Sequence, residues 1–127
     1  MNTAKLEKFD QRQMANVALQ SFFNISKKWH LSAQDQMTLL GEPSRATFYK
    51  WRKGEVSPLS KDTIERISYI LGIYKALRLL FQTEAQADAW LHKPNDYFSK
   101  ETALSVMLKG SVVNLADVRR YLDYIRG

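Results

Sequence analysis

Residues 43 to 54, Pro-Ser-Arg-Ala-Thr-Phe-Tyr-Lys-Trp-Arg-Lys-Gly, hold Arg45, Lys50, Arg52 and Lys53 and no acid. Side chains of this kind make charge-assisted hydrogen bonds to phosphates and to base edges. The stretch also has the marks of one short helix. Pro43 can precede a helix but not sit inside one, the Ser44 hydroxyl can cap it, and Gly54 can supply a left-handed stop. At 3.6 residues per turn Phe48 and Trp51 share one side, whereas Arg45, Ala46, Tyr49, Lys50 and Lys53 spread over the other. One face is for a core and the other for a partner.

Upstream, Leu31-Ser-Ala-Gln-Asp-Gln-Met-Thr-Leu-Leu-Gly41 is a second short amphipathic run that Ser32 can cap and Gly41 can end. Two helices separated by a tight turn give the layout of a helix-turn-helix. In that motif the first residues of the second helix enter the major groove, here Ser44, Arg45 and Ala46, with Lys50 one turn later. Arginine pairs bidentately with guanine, lysine reaches the same acceptors, and an alanine methyl lies against a thymine methyl. Ser44, Thr47, Arg52 and Lys53 are placed for phosphates, with Tyr49 on the same face. Phe48 and Trp51 are expected in the core. One short recognition helix reads few base pairs, so a dimer with its two helices about 34 Å apart, or a multiple of that, is expected on double-stranded operator DNA.

Composition bounds the alternatives. The 127 residues are 45% hydrophobic, enough for one domain or for two small helical units sharing an interface. There is no cysteine, so thiolate metal sites, disulfides and cysteine nucleophiles are excluded. Two histidines in separate segments, without metal spacing, a glycine-rich phosphate loop or a nucleophile motif, point away from an enzyme, and no metal or cofactor is expected. No stretch reaches the length of a membrane span and the N-terminus lacks a signal-peptide core, so a cytoplasmic protein is expected. The net charge of +6 is uneven: residues 1 to 81 hold 13 Lys/Arg against 7 Asp/Glu, and residues 82 to 127 hold 6 against 6. A polyanion suits the first part and a different partner the second.

The elements that must position these residues read as helices throughout. Residues 2 to 9 are expected to be a loose lead-in, followed from Asp10 by a helix burying Met14, Val17, Ala18, Phe22 and Ile25 toward Trp29. His30 is expected to cap or pack. Ser60 caps a long helix with Ile64, Ile67, Ile70, Leu71, Tyr74, Leu77, Leu80 and Phe81 on its apolar stripe. Gly72 within it marks either a break or a close backbone approach, and a junction between two functional parts is favoured. Residues 83 to 92 form a helix with Ala85, Ala89 and Trp90 inward. Ser99 is expected to cap the next, through Ala103, Leu104, Met107 and Leu108 to Gly110. The last runs from Asn114 to about Arg126 with Leu115, Val118, Leu122 and Ile125 on one side. The fold class is all-α, about seven helices without strands: a helix-turn-helix unit over 1–71 and a small helical unit over 72–127.

With these residues placed, the chain resembles the Xre/MbcA/ParS-type antitoxins of RES-Xre type II toxin-antitoxin systems. The resemblance rests on Trp29-His-Leu-Ser32, Leu39-Leu-Gly41 and Ser44-Arg-Ala-Thr-Phe-Tyr-Lys-Trp-Arg-Lys-Gly54 in the first part. In the second it rests on Trp90-Leu-His-Lys-Pro-Asn95, Met107-Leu-Lys-Gly110 and Val118-Arg-Arg-Tyr-Leu-Asp123. One departure is local: the family usually has Phe-Gly-Gly after Pro-Asn, and here Phe98 is followed by Ser99 and Lys100. An altered loop in an unchanged fold is expected.

The resemblance implies an Xre-like DNA-binding unit that represses its own operon and a second unit that neutralises a RES-domain, NAD-consuming toxin by blocking its cleft. Trp90, Pro94, Asn95, Phe98, Arg119, Arg120, Tyr121, Tyr124, Arg126 and Gly127 are its candidate toxin contacts, with Tyr121, Tyr124, Arg126 and Gly127 as the occluding end. The resemblance also implies a homodimer or a higher toxin-antitoxin assembly. The competing reading is a stand-alone Xre-like transcriptional regulator whose second part serves dimerisation or ligand sensing.

Overall fold

The computed structural model describes the backbone of residues 3–127 and the side chains from Asp10 onward. The described residues form seven α-helices: α1 (Thr3–Lys28), α2 (Ala33–Leu39), α3 (Arg45–Arg52), α4 (Lys61–Leu80), α5 (Glu84–Trp90), α6 (Ala103–Met107) and α7 (Val112–Arg126). A 3-10 turn, Asp96–Phe98, joins α5 to α6, and among the described residues the sole β pairing is an isolated Pro94–Thr102 bridge. Short polar side chains start the helices. Ser32, Ser44 and Ser60, as expected, and Thr83 each accept the backbone N–H of the third helical residue. Thr102 caps α6 and Ser111 starts α7 at Val112.

Three helix beginnings differ from expectation, and α7 starts at Val112, two residues before the expected Asn114. Helix α1 is already formed at Thr3, so the loose lead-in does not hold for the backbone of residues 3–9, and Asn2 lies outside the described residues. Ser99 does not cap α6; it ends the Asp96–Phe98 turn in the left-handed region with φ 56°, three residues before the actual cap. Helix α1 ends at His30, also left-handed (φ 57°), with the His30 N–H on Lys27 O and the Leu31 N–H on Ser26 O. That double closure is the Schellman arrangement, and it gives this exposed histidine a capping role.

The two long helices, α1 and α4, form the spine. α1 packs on α3 and α4, and α4 packs on α5 and most extensively on α7. The buried stripe of α1 is Ala15, Leu19, Phe22, Ile25, Ser26 and Trp29, whereas Met14 and Val17 are 73% and 65% exposed. The expected stripe was thus out of phase in the first half of the helix, and Leu19 was missed. On α4 the core takes Ile67, Ile70, Ile73, Ala76 and Leu77, and Ile64 is exposed at 48%. Likewise α5 buries Ala87, with Leu91 just after it, but not Ala85, and α7 buries Leu115, Val118 and Leu122 but leaves Ile125 out. These shifts share a cause. Where apolar residues occur on adjacent faces, the position of the neighbouring helix decides which face is covered, and periodicity does not contain that position.

Gly72 lies inside α4, which runs through it without a break, so the chain division expected at 71/72 falls within one continuous helix. A close approach explains the glycine. A Cβ at position 72 would overlap the Arg119 guanidinium of α7, itself held by Nε to both Asp123 carboxylate oxygens at 3.1 Å. Alanine at 72 gains about 1 kcal/mol of helix propensity but must displace Arg119. We therefore expect Gly72→Ala to change unfolding free energy by less than about 1 kcal/mol in the native chain, and to stabilise by about 1 kcal/mol when Arg119→Ala has emptied the space. A double-mutant cycle from urea melts, with no coupling between the two sites, would remove the close-approach account.

Candidate DNA-reading helix and aromatic partner surface

Helix α3 has eight residues, too few to persist alone in water. Phe48 is fully buried and Trp51 is 7% exposed, and they tie α3 to the shared core. The Phe48 ring meets Phe23 of α1 edge-on at 5.9 Å between centroids. Ahead of it, α2 ends in the left-handed Gly41 (φ 91°), where a Cβ would come within 2.9 Å of Asp62 Oδ2. Gly41 therefore lets the turn nest against the Asp62–Arg66 ion pair of α4. The orientation of α3 is set by its packing on α1 and by the turn before it, which nests on α4.

Ser44, Arg45, Ala46, Tyr49, Lys50, Arg52 and Lys53 are exposed and Thr47 is half-buried, so these eight residues lie on or beside the outer face of α3. Ser44 Oγ accepts the Thr47 N–H at 3.1 Å and donates to Thr47 Oγ1 at 2.9 Å, which leaves the Thr47 hydroxyl proton free for an acceptor such as a phosphate. Arg52 lies over the Phe48 ring, 5.9 Å from its centroid, and lines a groove with Phe23, Asn24 and Lys27 of α1. Among the described residues none of the four cations is in an ion pair, although six such pairs occur from Asp62 onward.

The second cluster is aromatic. Tyr121 of α7 stacks on Tyr97 at 4.2 Å between centroids and faces Phe98 edge-on at 5.4 Å, with Trp90 beyond it at 6.3 Å. Three of the expected partner-contact residues, Trp90, Phe98 and Tyr121, are thereby brought together. Tyr97, 62% exposed, joins them and was not expected; an aromatic in a loop beside Phe98 was the available signal. Pro94 and Asn95 shape the loop that carries it: Asn95 Oδ1 accepts the Tyr97 N–H at 2.9 Å, and the Asn95 carbonyl accepts from Phe98 and Lys100. The remaining candidates lie along α7. Arg119 lies over Gly72, Arg120 pairs with Asp117 at 3.2 Å, and Arg126 reaches Asp123 at 3.8 Å. Tyr124 is 79% exposed and separate from the cluster, and because α7 continues to Arg126 the end with Gly127 is a helix terminus and not an extended tail.

After Phe98 the backbone turns through two successive left-handed residues, Ser99 (φ 56°) and Lys100 (φ 70°). These are the positions at which the resembling family has two glycines. The turn keeps a glycine-like conformation with side chains that do not favour it.

Two family models match the chain in sequence order. Residues 8–72 match the antitoxin Xre-like helix-turn-helix domain, and residues 76–127 match the antitoxin Xre/MbcA/ParS C-terminal toxin-binding domain. The chain belongs to the Xre/MbcA/ParS-type antitoxins. A protein of Sinorhizobium fredii (strain NBRC 101917 / NGR234) named Uncharacterized protein y4oB is 52% identical over 109 residues, covering 86% of this antitoxin and 84% of its own length. No solved structure matches the chain. Among the described residues no helix is long and apolar enough to cross a membrane.

Two measurements test the local physics of this antitoxin. Trp51→Ala should lower stability by roughly 3 to 5 kcal/mol, the range of large aromatic truncations in cores. A mutant with an unchanged melting temperature would show that α3 is anchored otherwise. Ser99→Gly and Lys100→Gly should each raise stability by about 1 kcal/mol, since each relieves a left-handed non-glycine residue. A loss of stability in both would mean that the side chains hold the turn.

Proposed function

We infer that this antitoxin neutralises a RES-domain, NAD-consuming toxin and binds operator DNA to repress its own operon, acting without enzymatic chemistry, cofactor or metal. The observation that carries the reading is the ordered match to a helix-turn-helix domain and a toxin-binding domain on one chain. The division into a DNA-binding part over 1–71 and a toxin-binding part over 72–127 is functional, since both parts share α4. A stand-alone regulator accounts for the first match and leaves the second unused.

In this reading Arg45, Ala46 and Lys50 face base edges in the major groove, while Ser44, Thr47, Tyr49, Arg52 and Lys53 fix register on the phosphates. That none of the four cations is in an ion pair among the described residues supports it, because a phosphate backbone meets them without first breaking such a pair. The toxin side centres on Trp90, Tyr97, Phe98 and Tyr121, held by Pro94 and Asn95. Tyr97 is exposed and Trp90, Phe98 and Tyr121 are half-buried around it, and aromatics are enriched among the residues that dominate protein interfaces. Arg119, Arg120, Tyr124, Arg126 and Gly127 extend that surface along α7, whose end blocks the toxin's cleft. The protein acts in the cytoplasm, where both operator and toxin are found.

Arg45→Ala should cost about 1 to 3 kcal/mol at the operator and relax one base preference, whereas Lys53→Ala should weaken all duplexes alike. Gel shifts showing equal losses for both mutants on specific and random DNA would reject this assignment. Tyr97→Ala, at an exposed position, should leave stability within about 0.5 kcal/mol yet weaken toxin binding by about tenfold or more. Deleting Tyr124 to Gly127 should restore NAD consumption by the toxin and leave operator binding intact. If the truncated antitoxin still inhibits fully, occlusion by the end of α7 is excluded.

A further inference from the structure

On the flank of α3 that carries Arg52, α1, α2 and α3 enclose a groove of about 630 Å³, within the size range of small-molecule sites. Lys27, His30 and Arg52 are exposed along it, and no acid lines it. The backbone and core fix their placement. His30 closes α1 with its N–H on Lys27 O at 3.2 Å, and Arg52 lies over Phe48, whose ring meets Phe23 of the groove wall edge-on. The Ser26 hydroxyl is spent on Phe22 O at 2.8 Å, so the remaining polar side chains of the lining are amides. Gln20 and Asn24 are exposed, whereas Gln36 is only 8% exposed and forms the floor. Gln36 Nε2 donates to Leu31 O at 3.1 Å, which fixes the orientation of the amide, and among the described residues no donor meets Gln36 Oε1.

We propose that this groove binds a small phosphate monoester that also carries hydroxyls, a phosphorylated sugar or nucleoside. The phosphate accounts for the exposed donors. A guanidinium offers a fork to two phosphate oxygens, and the ammonium and imidazole add donors with no acid in the groove to compete for them. The floor sets the rest of the ligand. Gln36 Oε1 takes a donor, which a sugar hydroxyl supplies, whereas a bare phosphate held by the exposed cations leaves it unmet. A duplex is the other source of phosphate, but its phosphates stand on a convex surface and meet the exposed cations without reaching Gln36.

Arg52 gives such a ligand a route to the operator. The same guanidinium is assigned above to the phosphates of DNA, so a bound monoester occupies it and lowers the positive charge beside α3. Ligand and operator therefore oppose each other, and by linkage each weakens the other by the same factor. This step rests on the DNA-binding reading, but binding of the monoester does not.

The test is calorimetry on the full chain without DNA or toxin, with ribose 5-phosphate, 5′-AMP and inorganic phosphate as probes. At least one ester should bind with a Kd below about 1 mM, and inorganic phosphate at least about tenfold more weakly. Lys27→Gln with His30→Gly should weaken ester binding by about tenfold or more. Glutamine is as good a helix former as lysine and glycine suits the left-handed position 30, so the double variant should melt no lower than the native chain. Lys75→Gln, at an exposed position that does not line the groove, removes a charge elsewhere and should bind the ester as the native chain does. Failure of both esters to bind at about 5 mM, inorganic phosphate bound as tightly as the esters, or a folded double variant that binds like the native chain overturns the proposal. Gel shifts at matched ionic strength separate the second step, in which saturating ester should weaken operator binding by about fivefold or more. An operator held equally with and without bound ester removes the coupling through Arg52, and a chain that binds the ester but no operator overturns the DNA-binding reading instead.

Discussion

Four of the seven helices have eight residues or fewer, and such helices do not persist by themselves in water. Everything on the surface therefore depends on burial against the two long helices. Phe48 and Trp51 do this for α3, and Ala103, Val106 and Met107 do it for the five-residue α6. The capping hydroxyls fix where each helix begins, yet a cap contributes typically about 1 kcal/mol and cannot replace the buried face. Function is thus written on the outward sides of elements whose inward sides decide whether they exist.

The same constraint ties the two working surfaces together. Helix α4 contributes to the core beneath both, and Trp29, fully buried at the end of α1, sits where they meet. Its carbonyl accepts from His92 Nε2 at 3.0 Å, just after α5, and its ring lies 6.2 Å from Tyr74 of α4. The Tyr74 hydroxyl accepts from Arg78 at 2.9 Å and from Lys28 at 3.2 Å, and Arg78 pairs with Asp88 of α5 at 3.1 Å. Burial opposes the Arg78 charge, but the Tyr74 hydrogen bond and the Asp88 carboxylate hold its pKa above the ordinary value. A rigid seam of this kind means that toxin binding and DNA binding act on one body.

Much of this was legible in the sequence because capping and stop signals are local. Ser32, Ser44, Ser60, Thr83 and Gly54 mark ends that depend on a few neighbouring residues only. Phase was not legible in α1. Met14, Val17 and Ala18 form one apolar line and Ala15, Leu19 and Phe22 another, and only the position of α4 selects between them. Ser99 misled for a related reason: a serine before a helix reads as a cap, but the demands of the Asn95 turn place it in a left-handed position and pass the cap to Thr102. The aromatic cluster was half legible, since Trp90, Phe98 and Tyr121 are separated in the chain and their meeting depends on how α7 crosses the loop. What stayed hidden in each case is a relation between segments.

Stability alone does not account for the composition of α3. Helices α2, α4 and α5 each place an acid in the first turn, Asp35, Asp62 and Glu84, where the positive end of the helix dipole favours it. Helix α3 has no acid there and begins with Arg45, a cation at the unfavourable end. The mismatch costs about 0.3 to 1 kcal/mol at an exposed site, on a helix with little stability of its own. Three more cations follow within eight residues and none is neutralised by an acid of the described chain. An anion placed at that terminus would reverse both penalties, being attracted by the free N–H groups and by the four side chains together. A phosphate backbone supplies such anions at regular spacing, so the DNA-reading role proposed for α3 accounts for Arg45, the one cation at the unfavourable end of the helix.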